Sequence, residues 1–96
     1  MQTNAAIIAI ALARCDREQR CGNIGNGERY SNRNACMTSV RTDWKDELNT
    51  SECRAGVKQD ELAECVHEIR DEDCRNPLDA LQRMAACRSS DICVST

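Results

Sequence analysis

Eight cysteines in 96 residues constrain this chain more than any other feature. They are Cys15, Cys21, Cys36, Cys53, Cys65, Cys74, Cys87 and Cys93. Such a density marks a disulfide scaffold. No C-x-x-C occurs, which removes the usual zinc and thioredoxin-like arrangements. An even count spread along the chain predicts four intramolecular disulfides and a mature protein outside the reducing cytosol. Closing loops of ten to thirty residues stabilises by about 3 kcal/mol each in the chain-entropy model.

The remaining composition explains why such staples are needed. Phe is absent, and the only aromatic residues are Tyr30 and Trp44. The core must come from Ile, Leu, Val, Met and the cysteines, and a single domain over residues 1–96 leaves little room for it. A net charge of −3, with no basic stripe and no aromatic platform, argues against a nucleic-acid partner. No segment reaches the ~20 apolar residues of a transmembrane helix. Residues 5–13 (AAIIAIALA) are apolar, and Ala11-Leu12-Ala13 is similar to a signal-peptidase site. No Lys or Arg precedes them, and the segment runs on into a helical pattern ending at Cys15, so it reads as a helix of the mature chain. Met1 is then expected to stand where an export signal has been removed.

Apolar period and capping residues predict helices over about residues 4–20, 32–48, 59–72 and 77–86. In the first, Ile8, Leu12 and Cys15 share a face, with Ala5, Ala11 and Ile7 beside it, and Thr3 is the expected N-cap. The loop 21–27 carries three glycines and two asparagines. Ser31 is expected to cap the second helix, whose stripe is Cys36, Val40, Trp44 and Leu48 at i, i+4 spacing. The third has Leu62, Cys65, Val66 and Ile69 on one face. Lys58 is a poor cap, so that end is expected to fray, with Val57 able to staple onto Leu62. Asn76-Pro77 signals the start of the fourth, followed by Leu78, Leu81, Met84 and Ala85. The tail 87–93 has room for one turn at 90–92. The fold class is therefore all-α: a compact four-helix, disulfide-rich domain.

Eight cysteines allow 105 pairings, and helix geometry narrows them. Antiparallel packing of the first two helices brings Cys15 or Cys21 near Cys36. Cys53 is expected to meet Cys87 or Cys93 and not to reach Cys74, at the opposite end of the third helix.

Each chemical candidate has a plainer reading. Glu64-x-x-His67 has the spacing of di-iron bundle ligands, but it occurs once, and His67 falls on the polar face with Asp60, Glu64 and Asp71. The acidic run Asp71-Glu72-Asp73 with Glu68 lacks the alternating ligands and the Gly of a calcium loop. It reads as a charged helix end offset by Arg70 and Arg75. Arg14, Arg17 and Arg20 form a basic edge, available to a partner's carboxylates or to the acidic third helix. Residues 22–27 lack the Lys-Ser/Thr of a phosphate loop. With one exposed histidine and paired cysteines, no catalytic constellation, metal site or cofactor site is expected. Trp44 is the most individual residue, as a core anchor or as the wall of a ligand site.

Three stretches carry a resemblance: residues 13–21 (ARCDREQRC), residues 44–48 (WKDEL), and Asn76-Pro-Leu-Asp79 with residues 86–93 (ACRSSDIC). Together they resemble a family of small cysteine-rich lipoproteins from myxobacteria, labelled for natural product biosynthesis. The resemblance implies an exported protein with a lipid anchor in its full-length precursor; the lipobox cysteine is missing here. It brings no activity. The cysteine and helix content is also similar to that of plant lipid-transfer proteins, but their adjacent Cys-Cys and Cys-x-Cys pairs are absent. The expected function is a non-enzymatic exported binding or structural module whose partner is a protein or cell-surface component. The alternative is a carrier holding a small, lipid-like apolar ligand in a pocket between helices.

Overall fold

The first expected helix forms as α1 (Thr3–Arg20), the second as α2 (Arg33–Glu47) and the third as α3 (Gln59–Asp71), and the turn in the tail is α4 (Ser89–Ile92). The structure, a computed structural model, describes residues 2–48, 53–75, 83 and 86–94. The helix expected over 77–86 lies outside the described residues except at Arg83 and Ala86, both helical. There the Cys87 amide donates to the Arg83 carbonyl at 2.9 Å. No strand occurs among the described residues, only isolated bridges at Ile24–Tyr30 and Val57–Cys93. The protein is all-α with four disulfides.

α1 is the central element and packs against both α2 and α3. That position turns α1 from the expected orientation: Cys15, Ile7 and Ala11 are buried as expected, but Ile8, Leu12 and Ala5 are not. Ile8 and Leu12 are 44% and 41% exposed, while Ala6, Ile7, Ile10, Ala11, Ala13 and Cys15 are buried. At 100° per residue the buried positions sweep roughly 200° of the helix. A helix flanked on two sides needs small side chains where backbones approach, so the alanines turn inward and the bulkier Ile8 and Leu12 lie on the ridge left over. Two apolar clusters result. Ala6, Ile10 and Ala13 pack with Leu62, Cys65 and Ile69 of α3. Ala11 and Cys15 pack with Cys36 and Val40 of α2. The stripe expected on α2 is the one used: Cys36, Val40 and Leu48 are buried.

The caps differ by small steps. Asn32, not Ser31, caps α2, its side-chain oxygen accepting the Ala35 amide at 2.8 Å. Gln2 precedes α1, and Thr3 is the first helical residue. Instead of capping, the Thr3 hydroxyl donates to the Cys53 carbonyl at 3.3 Å. Gly22, at φ 75°, closes α1. Its amide reaches the Gln19 carbonyl at 3.1 Å and that of Asn23 reaches the Glu18 carbonyl at 2.9 Å. This paired closure needs a left-handed residue, which glycine supplies without strain. Lys58 makes no side-chain cap, yet the start of α3 is tied down. The Lys58 amide donates to Ile92 at 2.8 Å and the Val94 amide to Gly56 at 3.0 Å. The chain's tail thus does what a capping side chain would do, a long-range contact that local sequence does not announce.

The disulfides are Cys15–Cys36, Cys21–Cys74, Cys53–Cys93 and Cys65–Cys87. The first joins α1 to α2, and the second joins the end of α1 to the chain leaving α3. The third ties the approach to α3 to the end of α4, and the fourth ties α3 to the residue after Ala86. Of the partners geometry offered, Cys36 takes Cys15 and Cys53 takes Cys93; Cys53 and Cys74 are not joined.

Candidate functional site

Two features stand out from this frame: a cluster of charge at the end of α1 and an open groove beside it. The cluster centres on Glu18 and Glu72, whose residues are 0% and 4% exposed. Burying a carboxylate requires charged partners. Glu18 accepts from Arg17 at 2.6 Å and from the Asn23 side chain at 2.8 Å. Arg14 lies 3.7 Å from Glu18 and 3.5 Å from Glu72. Arg83 meets Glu72 at 2.7 Å, and Arg17 lies 3.7 Å from it. Arg20 donates to the Glu72 carbonyl at 2.8 Å. The basic edge of α1 is therefore engaged with the end of α3, the plainer of its two sequence readings. Burial of Glu18 and Glu72 was not foreseen. The available signals were Arg14 at i−4 from Glu18, with Arg17 adjacent.

Burial by itself would push the Glu18 carboxyl up. The hydrogen bonds from Asn23 and Arg17 and the charges of Arg14 and Arg17 outweigh it, and hold the carboxyl below its ordinary value. A depressed acid stabilises the fold fully above its unfolded value and stops doing so as pH falls through the folded one. Thermal midpoints measured between pH 6 and pH 2 are therefore expected to drop below about pH 4.3. A Glu18→Gln variant should be less stable at neutral pH and show a shallower acid drop; an equally steep drop would remove Glu18 from this role.

The groove, about 600 Å³ in volume, opens between α2, Ile69 of α3, and Arg83, Cys87 and Arg88. Its apolar wall comprises Tyr30, Val40, Trp44, Ile69 and Cys87. Trp44 is half-buried and packs against both apolar clusters, so it is core anchor and groove wall at once. The groove also takes four arginines, Arg14, Arg29, Arg83 and Arg88, and two carboxylates from α2, Asp43 and Glu47. The Arg29 guanidinium stands over the Tyr30 ring at 5.5 Å. One disulfide borders the groove, Cys65–Cys87, which fixes a wall to α3; Cys15–Cys36 pins α2 one turn before the lining residue Val40.

The other candidates stay apart. His67 is exposed and pairs with Asp71 at 3.0 Å, away from the groove lining. No three His, Cys, Asp or Glu side chains converge into a metal-holding group among the described residues. No described helix is long and apolar enough to cross a membrane.

Four disulfides, an all-helical frame and one aromatic, arginine-lined groove define a disulfide-braced helical protein suited to an oxidising, extracytoplasmic setting. The chain belongs to a family of unknown function, DUF6184, which matches residues 15–95 and so takes in all eight cysteines. No curated protein and no solved structure matches it.

Proposed function

We propose that this chain is an exported, non-enzymatic binding module whose working surface is the groove around Trp44. One observation carries the reading: a disulfide-bordered groove of about 600 Å³ sets the chain's two aromatic residues beside charged groups. Ligand sites are commonly 300–1,000 Å³, mostly apolar, with a few convergent polar groups. The export address is supported by the four disulfides and by the resemblance to small cysteine-rich lipoproteins. The space between α1 and α3 is occupied by Ala6, Ile10, Leu62 and Ile69. Binding is therefore assigned to the open groove, for a small organic molecule, and not to a lipid tunnel between helices.

The test is titration of the oxidised protein with 8-anilinonaphthalene-1-sulfonate, followed by energy transfer from Trp44, the only tryptophan. Saturable one-to-one binding is expected, weakened about fivefold or more in Tyr30→Ala through loss of an aromatic wall. Absence of saturable transfer, or binding unchanged in Tyr30→Ala, overturns the proposal.

A further inference from the structure

We infer that the groove selects organic anions: a flat apolar body lies against Trp44 and Tyr30, and a carboxylate, sulfonate or phosphate faces the arginines. This rests on the reading of the groove as a binding site.

Charge is the argument. Beneath the groove, the guanidinium groups of Arg14, Arg17 and Arg83 are arranged around two carboxylates among the described residues, Glu18 and Glu72. Among the described residues, one positive charge is left in excess. Arg14 reaches both the cluster and the groove, and its Nη1 atom is buried with no hydrogen-bond acceptor among the described residues. At 3.5 Å from Glu72 it has charge compensation but an unused donor. At the rim, Arg29 and Arg88 are exposed and make no ion pair among the described residues. Asp43 and Glu47 belong to α2, whereas Arg14 comes from α1, Arg29 from the loop before α2, and Arg83 and Arg88 from the chain after α3. The groove lining thus holds twice as many arginines as carboxylates, and the two come from different elements, in a protein of net charge −3. Arginine's planar fork suits carboxylate, sulfonate and phosphate oxygens, and charge-assisted bonds of this kind are about twice as strong as neutral ones.

Two probes of nearly the same shape separate charge from shape. 8-Anilinonaphthalene-1-sulfonate carries a sulfonate; N-phenyl-1-naphthylamine is its neutral counterpart. Both are titrated into the oxidised protein and followed through Trp44. The sulfonate is expected to bind about tenfold more tightly. The double variant Arg29→Gln, Arg88→Gln alters only exposed side chains. It should weaken the sulfonate about fivefold and leave the neutral probe within about twofold. Raising the salt to 0.5 M should likewise weaken only the sulfonate. Equal affinity for the two probes, or a double variant that binds the sulfonate as tightly as wild type, overturns anion selection while the groove reading stands. If neither probe saturates through Trp44, both readings fall.

Discussion

Reduced with excess thiol at neutral pH, this protein is expected to lose most of its helical circular dichroism at 222 nm and to regain it on reoxidation. Its three long helices run 18, 15 and 13 residues, lengths at which isolated helices are marginal in water. Tertiary packing must hold them, and the packing material is thin. Of the 17 buried apolar residues among those described, six are cysteines and three are alanines. The disulfides close sequence separations of 21, 53, 40 and 22 residues. The chain-entropy model assigns each about 3–4 kcal/mol, on the order of 15 kcal/mol if the loops acted independently. A whole domain is stable by about 5–15 kcal/mol, so losing all four should exceed what the core supplies. Reduced protein that keeps its 222 nm signal and a cooperative melt would show that the helices hold themselves together.

The second large effect is expected at Glu72. Replacing it with alanine leaves Arg14, Arg17 and Arg83 facing one another with, among the described residues, only Glu18 to balance them. Removing one partner from a buried ion cluster costs about 3–5 kcal/mol. The arginine side chains keep 10% to 22% of their surface in water, which places the expectation at the low end, about 3 kcal/mol. For a domain of this size that is a fall of about 12 °C or more in Tm. Asp71→Ala, one residue away, is the control. It breaks an exposed pair with His67 and should change stability by less than about 1 kcal/mol. Equal effects from the two variants would mean that Glu72 is not a structural hub.

How far the sequence reveals this molecule depends on whether local pattern or tertiary position decides. On α2 local pattern decides, because that helix has one major apolar neighbour. The i, i+4 series from Cys36 through Trp44 to Leu48 therefore identifies the inward face. On α1 position decides. Pattern reading favours the face of Ile8 and Leu12, but a helix packed on both sides buries a wider sweep, which holds Ala6, Ile7, Ile10, Ala11 and Ala13. Glu18 and Glu72 were hidden for a related reason. Glu18 has its cations on its own helix, Arg14 and Arg17, but Glu72 is held by Arg14 and Arg17 from α1 and by Arg83, and single-helix period says nothing about these. The groove shares this origin: Trp44 was recognisable as an individual residue, but Arg29, Arg83 and Arg88 converge on it only after folding.

The order of the crosslinks has one more result. Cys21–Cys74 interlocks with each of the other three, and Cys65–Cys87 nests inside Cys53–Cys93. Every peptide bond from residue 15 to residue 93 therefore lies inside at least one covalent ring. A peptidase that makes a single nick anywhere in that span frees no fragment; the two pieces remain one molecule. Among the hydrolases outside a cell, such a chain can be wounded once and still stay whole.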